Sequence, residues 1–379
     1  MFIPYGKHYI DDDDINAVVS ALKEDYIATG PGIDKFEKAF AEYVGAKYAV
    51  AVSSGTAALH ACAYAIGIQK GDEVITTPLT FVSTASSVMM CGGTPIFADI
   101  DENTYNIDPD EIEQKITPNT KAIMPVHFTG QPCDMKKIHE IARKNGLIVI
   151  EDAAHAHGAD YHGSKIGGCK YSDLTAFSFH PVKLMTTCEG GMVTTNDDAL
   201  YQKIKLFRAY CSTKDPELLK DKTEGAWHYE VQGLGYNYRL SDVMCALGNS
   251  QLHKLDRFVA KRRIIAQRYS EKLNNVRGII LPYQAAECNS SWHLYTIQIE
   301  NGRRREVYEK MRDKNIGVDV HYLPVYRHPY FQENGYQGVC CPKAEKLYSR
   351  ILSLPIYYGL TEQQQDYVID KIKSIVNGE

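Results

Sequence analysis

One lysine interrupts LTAFSFHPVKLMTTCEGGMVTTN, the run from Leu174 to Asn196. Lys183 follows an apolar Phe-Ser-Phe segment and precedes small and apolar residues, unlike the surface loops where lysine is common. Two readings fit it. Its stem could cover apolar surface while the charge snorkels to water, or burial could lower its pKa so that the free amine forms a Schiff base with a carbonyl compound. A second loaded place is Ser53-Ser54-Gly55-Thr56-Ala57-Ala58, where a strand passes into a helix. Backbone N–H groups at a helix start, with a glycine for close approach and hydroxyls alongside, suit a phosphate; an ordinary N-cap uses the same residues. The third is Glu151-Asp152-Ala153-Ala154-His155-Ala156-His157-Gly158, after the apolar LIVI run. An aspartate at the tip of a buried strand is costly unless something positive meets it. It fits a cap, a metal site with His155 and His157, or a carboxylate facing a protonated heterocyclic nitrogen; no third and fourth metal ligand is evident nearby. A phosphate cup, an acid for a pyridinium nitrogen and a Schiff-base lysine together meet the requirements of pyridoxal 5′-phosphate (PLP).

These residues need elements to hold them. Short Val/Ile-rich runs (YAVAVSS, DEVITTP, TPIFADI, KAIMPVHFTG, LIVIEDAA) alternate with helical segments such as GTAALHACAYAIG and MKKIHEIARKNG. That alternation predicts a mainly parallel sheet covered by helices on both faces. In such a sheet ligands sit beyond the carboxyl ends of the strands, which is where all three places fall. Asp11 to Asp14 precede the helically spaced Ile15, Val18, Val19 and Leu22, so the acids read as a helix entrance rather than a metal cluster. One long amphipathic helical stretch is expected from Ser241 to Leu273. Beyond it the pattern is that of a small α+β unit, so the division is placed at 1–251 for a large domain with an N-terminal substrate segment and 252–379 for a small C-terminal domain.

In the order and spacing of SSGTAAL, TTPLTFVSTA, EDAAHAHGA, SFHPVKLMTTCEGG and GLGYNYRLSDVMCALG, the chain resembles the DegT/DnrJ/EryC1/StrS family of PLP-dependent sugar aminotransferases. The resemblance runs essentially end to end. It implies an α/β PLP-dependent transferase of fold type I, the aspartate aminotransferase type. It makes Lys183 the Schiff-base lysine and proton carrier, Asp152 the partner of the pyridine nitrogen, and His155 the hydrogen-bond partner of the cofactor's ring oxygen. Phe81 falls where an aromatic stacks on the ring. Gly55, Thr56 and Ser178 match the phosphate positions, with Ser54 adjacent. Asn237 resembles a residue that reaches the phosphate from the neighbouring subunit, implying a homodimer with composite sites. Some members carry histidine in place of the lysine and are dehydratases; Lys183 implies transamination from L-glutamate to a UDP-linked keto-sugar. SFHPVKLMTTCEGG and VHYLPVY most resemble members that aminate C4 of UDP-2-acetamido-2,6-dideoxy-β-L-arabino-hex-4-ulose, with Tyr5, Tyr26, Ile27, His180, His321 and Tyr322 at substrate-contacting positions. Amination of another keto-hexose, at C3 or C4, is the alternative.

Bulk properties bound the partners. The 379 residues are 44% hydrophobic and 23% charged, with a net charge of −5. That composition suits a soluble globular protein and gives no electrostatic case for nucleic acid or an anionic membrane. The 10 cysteines form no CxxC pairs and read as reduced thiols rather than a disulfide framework or a zinc site. With no long apolar run and an acidic start, the cytoplasm is the expected location. Tyr161 and Lys165 satisfy the YxxxK pattern of short-chain dehydrogenases, but no glycine-rich dinucleotide turn follows the first strand. A non-catalytic binding protein would be expected to lack Lys183 or Asp152.

Overall fold

The computed structural model describes residues 2–378. Asp11 caps α1 (Asp12–Ala21) by accepting the Asp14 N–H, and the Asp14 carboxylate accepts the Asp11 N–H at 3.1 Å. This reciprocal box, with Asp12 and Asp13 at the positive end of the helix, accounts for the run of four acids. After α2 (Pro31–Val44), β1 (Tyr48–Val52) leads into α3 (Gly55–Ala65). Then follow β2 (Glu73–Thr76), α4 (Ser83–Met90), β3 (Thr94–Phe97), α5 (Pro109–Lys115), β4 (Thr120–Met124), α6 (Met135–Asn145), β5 (Ile148–Asp152), β6 (Leu174–Ser178), β7 (Gly191–Thr195) and α7 (Asp198–Phe207).

The seven strands form one sheet in the order β1-β7-β6-β5-β4-β2-β3. Only β7 runs against its neighbours; every other pair is parallel. Alternate side chains feed opposite faces. In β1, Ala49 and Ala51 join the core that includes Phe36, Phe40 and Phe177, while Val50 and Val52 join the core of α3. Burial on both faces explains the continuous apolar strands. Because β1, β5 and β6 point the same way, their carboxyl ends gather at one rim.

A second core surrounds a three-stranded antiparallel sheet of Ile279–Ile280, Tyr295–Ile299 and Ile351–Leu354, with the helices Arg304–Asp313 and Glu362–Asn377. The helical stretch expected from Ser241 to Leu273 is two helices, α8 (Asp242–Leu252) and α9 (Leu255–Leu273). At the break Lys254 pairs with Asp14 at 3.0 Å and with Asp11, so the chain bends where its amine meets the acidic entrance of α1. Leu255 and Val259 of α9 pack into the first core and Ile265, Tyr269 and Leu273 into the second, so α9 is common to both. The first residues also belong with the second core. Ile3 donates its N–H to Asn315 at 2.9 Å and accepts from Gly317, while Tyr5 accepts from Ile356 at 3.0 Å.

Asp242, the first residue of α8, clasps the loop before α2. Its carboxylate accepts the N–H groups of Gly30 and Gly32, each at 2.7 Å, and its own N–H donates to Ile27 at 3.1 Å. Asp242→Ala strips two donors of their acceptor and is expected to cost about 2 kcal/mol, read as a lowered midpoint of chemical denaturation.

Candidate active site

The sheet rim opens into a cavity of about 490 Å³. Ser54, Gly55 and Thr56 enter it from the turn between β1 and α3, Asp152 from the last position of β5, Ser178 from the last position of β6, and Lys183 from the loop beyond. Phe81, His155, His180, Tyr5, His321 and Tyr322 line it as well. Twelve of the residues singled out in the sequence therefore share one wall, although they span positions 5 to 322.

Lys183 lies half-buried at the cavity, its N–H donated to the His180 carbonyl at 2.8 Å. Enclosure by protein lowers its amine pKa to about 8, with the Asp152 carboxylate pulling the other way. Much of it is the free base at mildly alkaline pH, which a snorkelling lysine would not be. Asp152 is buried, with Oδ2 accepting from the Thr84 hydroxyl at 2.7 Å and Oδ1 from the Ala154 N–H at 3.1 Å. Burial raises its carboxyl above the ordinary value, while these two donors, Lys183 and His127 act to hold it down.

His155 is buried, and Nε2 lies 3.2 Å from the Tyr322 hydroxyl while Nδ1 has no partner among the described residues. Burial first, and then the positive field of Lys183, push its pKa well down, so the ring is neutral. The close Tyr322 contact gives His155 a protein partner that the sequence did not suggest. Ser54 is the N-cap of α3, its hydroxyl accepting the Ala57 N–H at 3.1 Å. The two readings of Ser53–Ala58 are compatible, because the N–H groups of Gly55 and Thr56 open the first turn and have no intrahelical acceptor. Gly55 is required by proximity: a Cβ there would lie 2.6 Å from that of Ser178. Gly191 answers a similar need, since a Cβ would sit 2.4 Å from the Ser54 carbonyl oxygen. In the turn before β7 the left-handed residue is Cys188, with φ 69, rather than either glycine.

Three expected positions lie elsewhere. Tyr26 and Ile27 are exposed on the loop clasped by Asp242, and Asn237 is exposed beyond the bridge it forms with Ala209. None of them lines the cavity of its own chain. Conversely, Thr80, Ser83, Asp319 and Glu189 line it without having been assigned a role there. Thr80 and Thr84 carry a helical i, i+4 spacing within the TTPLTFVSTA block; Asp319 had no such signal. Tyr161 and Lys165 hold structure, donating to Asp134 at 2.8 Å and Asp256 at 3.2 Å respectively. No cluster of metal-ligating groups occurs among the described residues, and the ten cysteines are free thiols.

The model of the DegT/DnrJ/EryC1/StrS aminotransferase family matches residues 8–373. The chain belongs to this family. As a DegT/DnrJ/EryC1/StrS enzyme it is a sugar aminotransferase of the PLP-dependent fold type I. The chain is 43% identical to the spore coat polysaccharide biosynthesis protein SpsC of Bacillus subtilis over 383 aligned positions, covering 100% of this chain and 98% of that one. Its structure is similar to Helicobacter pylori PseC, an aminotransferase involved in the biosynthesis of pseudoaminic acid, with TM-score 0.92, 30% identity and full coverage of both chains. It is likewise similar to the PLP form of Spr1654 from Streptococcus pneumoniae, with TM-score 0.92, 27% identity, and coverage of 100% of this chain and 99% of that one. The residues present fit this family's cofactor: the cavity holds a low-pKa amine, a buried carboxylate at a strand tip, an unpartnered imidazole nitrogen and a helix start stripped of side chain at Gly55. No helix among the described residues is long and apolar enough to cross a membrane.

Proposed function

We propose that this aminotransferase moves the amino group of L-glutamate to C4 of a UDP-linked 4-keto-6-deoxy sugar, with UDP-2-acetamido-2,6-dideoxy-β-L-arabino-hex-4-ulose as acceptor. The observation that carries the site assignment is the meeting of Lys183, Asp152 and the first turn of α3 around one cavity. PLP supplies an electron sink that makes the proton on the amine-bearing carbon removable. In this reading Lys183 anchors the cofactor and then, as a free amine, carries the proton between the two carbons that exchange it. Asp152 holds a proton at the ring nitrogen. The N–H groups of Gly55 and Thr56, with the hydroxyls of Ser54 and Ser178, hold the phosphate. Phe81 covers the ring face, and His155 bonds the ring oxygen in competition with Tyr322. Tyr5, His180, His321 and Tyr322 bound the sugar side. The likeness to PseC supports the acceptor, and the likeness to SpsC a sugar destined for a surface polysaccharide.

The active unit in this proposal is a homodimer. Among the described residues Lys183 is the single Lys or Arg lining the cavity, so an anionic phosphate, dicarboxylate or diphosphate calls for donors from a second copy. Asn237, Tyr26 and Ile27, exposed outside their own cavity, fit that role. Tyr210, Trp227 (73% exposed), Tyr229, Val231 and Leu234 (79% exposed) are exposed as well, apolar groups of the kind that a subunit contact covers.

The test has two parts. The PLP-loaded enzyme is expected to lose its visible band on adding L-glutamate, and then to aminate UDP-4-keto-6-deoxy sugars differing at C5, with the amine position read by NMR; amination at C3, or of another epimer alone, would replace the proposed acceptor. Mixing and refolding inactive Lys183→Ala and Asn237→Asp chains should restore roughly a quarter of the activity, because each mixed dimer contains one intact composite site. No recovery would refute shared sites.

A further inference from the structure

We infer that Thr84, backed by Thr80, is the positioning residue that sets the Asp152 carboxylate for its ring-nitrogen partner. The inference rests on the role proposed above for Asp152. Thr84 occupies the first turn of α4 and is fully buried, as is nearly all of Thr80. The Thr84 hydroxyl lies 2.7 Å from Asp152 Oδ2 and 2.7 Å from the Thr80 hydroxyl, with the Phe81 carbonyl farther away at 3.2 Å. A hydroxyl has one proton to give. A carboxylate can only accept, so Thr84 donates to Asp152 and Thr80 donates to Thr84. The direction of the chain is thereby settled. With the Ala154 N–H on Oδ1 at 3.1 Å, each carboxylate oxygen has a donor and the group cannot rotate without losing both.

A threonine in the first turn of a helix usually spends its hydroxyl on a nearby backbone carbonyl, a local role with no bearing on chemistry. Thr84 makes its shorter bond to a side chain 68 residues away. Its turn also carries Phe81, which lines the cavity at 57% exposure. One turn thus ties the proposed ring-face residue to the proposed ring-edge acid. Lys183 bears on Asp152 as a cationic group, His127 acts on it in the same direction, and Tyr322, Cys62 and Cys133 lie within its field. Of the influences that keep Asp152 ionised against burial, the Thr84 bond stands first, ahead of the Ala154 N–H and of Lys183. Without it the buried acid would tend toward its neutral form and give a ring nitrogen no counter-charge.

The experiment titrates the visible band of the PLP-loaded protein against pH in wild type, Thr84→Val, Thr84→Ser, Thr80→Val and Asp152→Asn. A proton held on the ring nitrogen repels one on the Schiff-base nitrogen, so losing the first raises the pH at which the band changes. Thr84→Val is expected to raise that midpoint by about one unit and to lower kcat by about tenfold to a hundredfold, with KM for the amino donor unchanged. Thr84→Ser, which keeps the hydroxyl, should titrate as wild type, and Thr80→Val should move the midpoint the same way by less. A shift in Asp152→Asn with none in Thr84→Val would overturn the inference while leaving the Asp152 assignment standing; no shift in either would overturn both. Should Thr84→Val fail to fold, Thr80→Val decides, and an unmoved midpoint there overturns the inference.

Discussion

Lys183→Ala is expected to lower kcat by about four orders of magnitude, to abolish the visible band of the PLP-loaded protein, and to leave the melting temperature of the cofactor-free protein unchanged. The size follows from the two duties proposed for one amine, covalent anchoring and proton transfer, neither of which another residue can assume. The other cavity-lining side chains are carboxylates, hydroxyls, imidazoles and apolar groups. The fold should not suffer, since enclosure already disfavours the ammonium form and its removal relieves a desolvation penalty. An accompanying pH dependence follows from the lowered pKa. Only the free amine attacks a carbonyl, so capture of PLP by the cofactor-free protein should rise about tenfold per pH unit below a midpoint near 8 and level off above it. Stopped-flow absorbance measures the rate. A midpoint at an ordinary lysine value, or a Lys183→Ala protein that still turns over at a tenth of wild type, would remove Lys183 from the chemistry.

Asp152→Asn should reduce kcat by about a hundredfold to a thousandfold while changing KM for L-glutamate little. The substitution preserves size, and its amide oxygen keeps one of the two donors while its NH2 obliges the Thr84 hydroxyl to turn from donor to acceptor, so the loss reports the negative charge together with that bond. A neutral amide cannot hold a proton on a ring nitrogen across a cavity with few other charges. The cofactor-free variant should also be more stable than wild type, because a carboxylate buried at a strand tip costs free energy until its cationic partner arrives. Steady-state kinetics and thermal melting check the two halves. A variant of full activity would sever Asp152 from the ring nitrogen, and with it the inference about Thr84.

What could be read from the chain depended on distance along it. Lys183, Asp152 and the Ser54–Thr56 turn announce themselves because each sits at or beyond the end of a strand, and strand ends are encoded by a few adjacent residues. The parallel sheet was equally legible, since burial on both faces leaves continuous apolar runs. Thr84 was not, because its importance lies in a bond to a residue 68 positions away and its local pattern is that of any helix start. Asp319 reaches the cavity only because the C-terminal unit packs there. The break between α8 and α9 carries no local signal because apolar periodicity continues through it; Lys254 at the break pairs with Asp14 and with Asp11, the latter 243 positions away. The reversed direction of β7 follows from a short return after β6, whose left-handed Cys188 is a residue type that rarely signals a turn.

The attachment of the first residues to the far end of the chain bears on how the molecule is assembled. Tyr5 lines the cavity, yet its segment is held by backbone bonds to Asn315, Gly317 and Ile356. During synthesis the rim that carries Ser54, Asp152 and Lys183 can take shape once the central sheet has emerged. The wall formed by Tyr5 has to wait until residue 356 has cleared the ribosome, a closure of very long range and therefore slow. A nascent chain would then be equipped to retain a cofactor before its sugar-facing side exists, and a chain stalled in its last quarter would be coloured but unable to turn over an acceptor.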